Sequence, residues 1–213
     1  MMMLIAFLNV VVLIVMLEMI PLFLATEKQY GGLAYDQKHI GTVLLIAAIP
    51  ILPIELTLIL KIVKVNGPRN GLIWSSVGQM IFIPLLPLIH HIQNATVQLV
   101  MVILYIFIMN GIIFSLFYIS FSSALLNIVK PTEMGILSGI GMCNASLARI
   151  FGPAIFGPMY SWSLKNKEYR DPKDGMVHFT SLGFPLDIYF VFISLSFISF
   201  CTILLIKFML KIK

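Results

Sequence analysis

Charge is sparse in this sequence: Asp, Glu, Lys and Arg together make 11% of its 213 residues, where a soluble domain carries about 25%. With 60% of the residues hydrophobic and a mean hydropathy of +1.02, a water-soluble fold of this size is excluded, and an integral membrane protein is expected. Cysteine is nearly absent. Cys143 and Cys201 both fall inside apolar runs, which excludes a disulfide framework, a zinc site or a thiol nucleophile and leaves packing as their expected role. No basic region precedes the apolar opening "MMMLIAFLNVVVLIVML" and no small-residue cleavage site follows it, so it reads as a retained span rather than a signal peptide. No nucleophile with a base, no Walker loop and no metal-ligand cluster is present, so an enzyme, ATP drive and a cofactor are not expected. The net charge of +5 sits in loops; contact with lipid headgroups accounts for it, and nucleic acid is not implied.

What the chain does have is long apolar runs. Six windows are long enough to cross a bilayer, which takes about 20 apolar residues: roughly 3–24, 40–63, 72–90, 97–126, 134–164 and 186–209. The expected fold is therefore an all-α bundle of six transmembrane helices forming a single domain over residues 1–213. Connections are short and polar, apart from "KNKEYRDPKDGMVHFTSLG", an exposed loop. An even number of spans puts both termini on one side. If that side is cytoplasmic, Lys61, Lys64, Arg69, Lys130, Lys207, Lys211 and Lys213 lie inside. Lys28, Lys38, Lys165, Lys167, Arg170 and Lys173 then lie outside, seven cations against six. The dense Lys61 to Arg69 cluster tips the orientation towards cytoplasmic termini. The Asn94-Ala95-Thr96 sequon then lies outside, in a loop too short and too close to the bilayer to favour glycosylation.

Three groups of residues carry a resemblance. They are "LEMIPLFLATEKQYGGLAYDQKHIGTVL" from Leu17, "VNGPRNG" from Val65, and "LLNIVKPTEMGILSGIGMCNASLARIFGPAIFGPMYSW" from Leu125. In order and spacing they resemble the C-terminal six-helix half of a major facilitator superfamily transporter, most like the zinc-induced facilitator-like branch. Glu18 to Leu22 match the element ending that family's seventh helix, and Tyr30 to Leu33 its Tyr-Gly-Gly-Leu loop. Gly135, Gly139, Ser146 to Arg149, Gly152, Pro153, Trp162 and Ser163 match its eleventh helix. Met134, Ser138 and Pro158 depart from it, standing where arginine, asparagine and glycine are usual. The resemblance implies two inverted three-helix repeats, cytoplasmic termini, and transport of a small organic solute or cation by alternating access, as a proton-coupled secondary transporter. It also implies partners: the small-molecule substrate, protons, the lipid bilayer, and either the missing N-terminal half or a partner transporter chain. A non-transporting subunit that regulates a full-length relative, or an inert truncated product, is the alternative.

Charge in hydrocarbon costs about 2.5–3.5 kcal/mol at the bilayer centre on insertion scales, so each intramembrane ionisable residue needs a reason. Glu18 stands about 22 Å along the first span at 1.5 Å per residue, where it either binds a cation, carries the coupling proton or reaches headgroups. Glu55 follows Pro50 and Pro53, and a kink there can turn it inward, as a transport group or as a structural ion pair. Arg149 shares a broad helix side with Ser138, Gly141, Ala145, Ala148 and Gly152, a small-residue stripe suited to close helix packing, and is expected to point to the interior as a structural tie or a gate. Asn110 and Asn144 are uncharged cavity candidates. Gly152, Pro153, Gly157 and Pro158 are expected to thin and bend the fifth span, Gly135 and Gly139 to let helices pack closely, and Tyr160 with Trp162 to mark the outer interface. Lys64, Gly67 and Arg69 form a basic turn between spans, either a conformational latch or an inside-positive anchor. Adjacent His90 and His91 point about 100° apart on a helix and do not chelate, so no metal is expected there.

Overall fold

The computed structural model describes residues 2–128, 133–165 and 184–209. Most of the Lys165 to Gly183 loop lies outside these residues, as do Lys130, Lys167, Arg170, Lys173, Lys211 and Lys213. The described chain is all-helical, with six helices long and apolar enough to cross a membrane. These are α1 (Met2–Ala25), α2 (Gln37–Asn66), α3 (Pro68–His91), α4 (Ala95–Asn127), α5 (Met134–Lys165) and α6 (Tyr189–Phe208). A short 3₁₀ turn, Lys28–Tyr30, follows α1.

Several of the helix starts and breaks have a local cause. Asn94 caps α4, its Oδ1 accepting the backbone N–H groups of Thr96 and Val97 at 3.1 and 3.4 Å. Gly67, with φ of +79°, makes the turn between α2 and α3, and Pro68 opens α3 at the first helical position, where its missing N–H is harmless. Proline also sets the irregular stretches. Pro50 and Pro53 withdraw two N–H donors from α2, which slips into a π-helical segment at Glu55–Ile59. Pro84 and Pro87 lie in a 3₁₀ stretch, Ile83–His91, at the end of α3. A second π segment, Phe107–Phe114, interrupts α4 without any proline.

Helix α1 lies at the centre, packed against α5, α6 and α2; α3 packs on α6 and α4, and α2 on α4. The main core gathers Val12, Val15, Met16, Met19, Ile20 and Phe23 of α1 with Met109 of α4 and Phe192 of α6. Gly152 lets α5 approach α1 closely, since a Cβ added there would stand 3.1 Å from Val15 Cγ2. Two further ties join α1 to α5: Asn144 Nδ2 donates to Met3 O at 2.8 Å, and the hydroxyls of Thr26 and Tyr160 lie 2.9 Å apart. Tyr160 is consequently buried, and of the expected aromatic pair Trp162 alone is exposed.

Candidate functional site

Only 6% of the residues in the most apolar stretch of α5 and 17% in that of α2 are buried, against 50% in α1. Each flanks α1, so the two bare helices border the central one. In a unit of this kind exposure means contact with lipid, water or another chain. On α5 the bare face holds Gly135, Ile136, Ser138, Gly139, Met142, Cys143, Arg149 and Pro158. Gly135, Gly139, Gly141 and Gly157 have nothing within 4 Å of where a Cβ would stand. Gly152 and Ala148, by contrast, are buried against α1, and Pro153 is half-buried. The small-residue stripe therefore divides: one edge packs within the bundle and the other is open.

Arg149 lies on the open edge, beside buried Ala148. Glu18 is likewise exposed on α1, three residues before Pro21. Among the described residues neither forms an ion pair. Asn144 faces α1, as its bond to Met3 shows, and lines a cavity of about 490 Å³ between α1, α4 and α5. That cavity is walled by Phe117, Tyr118, Phe121, Met142 and other apolar side chains, with Asn9, Ser122, Ser138 and Asn144 as its neutral polar groups. Such a lining, mostly apolar with a few polar groups, suits a small organic molecule. Lys64 is exposed; Arg69 is half-buried, and its Nε has no hydrogen-bond partner among the described residues.

Glu55, Asn110 and Ser115 come together where the two π segments face each other. Ser115 Oγ donates to Glu55 Oε1 and lies 2.9 Å from Asn110 O. Asn110 Oδ1 is buried and has no hydrogen-bond partner among the described residues. The sequence names Glu55 and Asn110 separately; the structure joins them through Ser115.

A second polar group escaped the sequence reading altogether. Asn9 and Gln79, 2% and 0% exposed, exchange two hydrogen bonds of 3.1 Å, each amide donating to the other's carbonyl oxygen. Ser199 Oγ lies 3.4 Å from Gln79 Oε1, so α1, α3 and α6 meet at one buried polar cluster. The available signal was an amide inside an apolar run, at membrane depth, in each of two spans. At the C-terminal end of α3, His90 Nδ1 stands 2.9 Å from Gly32 O, fastening that helix to the loop after α1. In the same loop, burial raises the Tyr35 phenol above its ordinary pKa.

The chain is an integral, multi-pass membrane protein. Over 157 residues, 71% of its length, it is 30% identical to a probable peptide/nitrate transporter of Arabidopsis thaliana. The match covers 31% of that relative, so the chain corresponds to about a third of it. The similarity supports the transporter class. No family model matches the sequence, and no solved structure matches it.

Proposed function

We propose that the chain forms a six-helix half of a secondary transporter that moves a small organic solute or cation by alternating access, coupled to protons through Glu18. The observation that carries this reading is the pair of bare helices, α2 and α5, bordering the α1 helix on which Glu18 is exposed. A bundle meant to sit alone in lipid has no use for an arginine and a row of open glycines on such a face. A second six-helix unit against it would enclose Glu18, Arg149, Glu55, Asn110 and Asn144 in a shared central cavity. Similarity to a named transporter over most of the chain supports the same class. Within that class, the zinc-induced facilitator-like pattern of the first and fifth spans is the branch it most resembles, and cytoplasmic termini follow from that topology.

The test is reconstitution into vesicles carrying an internal pH dye, with the chain alone and together with a full-length relative. A dipeptide or nitrate gradient, the solutes in the relative's name, serves as the probe. Solute-driven proton movement is expected, with a fall of tenfold or more in Glu18→Gln. Unchanged movement in that variant removes Glu18 from the mechanism. A stable complex with the relative and no added flux makes the chain a regulatory subunit instead, and neither flux nor complex overturns the reading.

A further inference from the structure

The contact between Glu55 and Ser115 is one hydrogen short. A serine hydroxyl has a single hydrogen to give and two lone pairs to receive. Ser115 Oγ reaches two acceptors, the Glu55 carboxylate and the backbone carbonyl of Asn110 at 2.9 Å. With Glu55 ionised, one hydrogen is available for two close O···O contacts, and one of them has no hydrogen in it. A proton on Glu55 completes the set: Glu55 O–H donates to Ser115 Oγ, and Ser115 O–H donates to the Asn110 carbonyl.

The surroundings are built for that arrangement. Glu55 is half-buried, about 16 Å along α2 from Asn66. The prolines before it disturb the helix, and Thr57 Oγ1 already donates to Pro53 O at 2.6 Å to occupy a carbonyl there. The π segments on both helices, Glu55–Ile59 and Phe107–Phe114, loosen the backbone hydrogen-bond register at this level. Gly111 lets the helices approach, since a Cβ on it would stand 3.1 Å from Ile51 Cγ1. The segment bearing Glu55 packs on the turns before and after it in α2 and on the facing parts of α4. The titratable side chains on those elements are Lys61, Lys64 and Tyr118, all of them exposed.

The geometry points to Glu55 as a proton-binding site relayed through Ser115 to the Asn110 carbonyl, separate from Glu18. On binding, an O–H bond forms on Glu55 with a proton taken from water, no other covalent bond changes, and the site's charge goes from −1 to zero. The inference deepens the transporter reading, in which the site is a second proton station, but it is measured without transport.

Infrared spectroscopy of the purified full chain in lipid, titrated with acid, detects it. A protonated-carboxyl band is expected that vanishes in Glu55→Gln, persists in Glu18→Gln, and shifts in Ser115→Ala, where the partner of the O–H is gone. If Glu55→Gln fails to fold, ¹³C labelling of all glutamates in the unaltered chain shifts the same band, with Ser115→Ala still separating it from other acids. A spectrum unchanged by Glu55→Gln, a band indifferent to Ser115→Ala, or displacement of the proton by sodium at constant pH overturns the assignment. The band without flux removes the transporter reading and keeps the site; flux without the band does the reverse.

Discussion

Replacing Asn9 by Leu removes two hydrogen bonds of 3.1 Å at once and leaves the amide of Gln79, 0% exposed, facing hydrocarbon. Measured side-chain hydrogen bonds in membrane helices average about 0.6 kcal/mol each, reaching about 1.7. Two of them therefore place the pair at about 1–3 kcal/mol. The single variants add the cost of an unpaired amide, about 1–3 kcal/mol for a buried polar group, partly recovered because Ser199 Oγ already stands 3.4 Å from Gln79 Oε1. Removing both partners, Asn9→Leu with Gln79→Leu, leaves no orphan. The double variant is thus expected to cost less than the two singles summed, by about 1 kcal/mol or more. Unfolding in mixed micelles, followed by tryptophan fluorescence from Trp74 and Trp162, gives the four stabilities of the cycle. Additivity within about 0.3–0.5 kcal/mol, the range for independent sites, would refute a coupled pair.

Gly152→Leu forces a side chain into Val15, where even a Cβ stands at 3.1 Å, and is expected to cost about 1–3 kcal/mol in the same unfolding assay; Gly139→Leu, on open space, leaves the six-helix unit's stability unchanged. Asn94→Ala uncaps α4 and is expected to cost about 1 kcal/mol, whereas Thr96→Val, which also destroys the sequon, leaves the cap's Oδ1 acceptor in place and costs less.

Much of this fold was legible because hydrocarbon is a demanding solvent: a run of about 20 apolar residues has few other uses. The turn at Gly67 between the second and third spans was readable too, from its local residues. Partners across helices were not. Asn9 and Gln79 are 70 residues apart, and Glu55 and Ser115 are 60 apart, and nothing in either segment names the other. Periodicity also fails to tell lipid, another chain and the bundle core apart when every side of a helix is apolar. Arg149 and Ala148 illustrate it: neighbours in the sequence on one broad side, they part at the helix surface, one outward and one against α1. The π segment at Glu55 follows from its prolines, but that at Phe107 has no such mark, and we have no physical account of why α4 widens there.

Whether the bare face of α5 borders an aqueous cavity or plain lipid can be read from a native residue. Cys143 is exposed on α5 one turn beyond Gly139, while Cys201 is half-buried on α6. In native membranes, labelling with a small, charged maleimide is expected to modify Cys143 and spare Cys201, because a thiolate forms only where water reaches it. A Cys143 as inert as Cys201, with both reacting once the protein is denatured, would put that face against lipid and contradict a shared transport cavity.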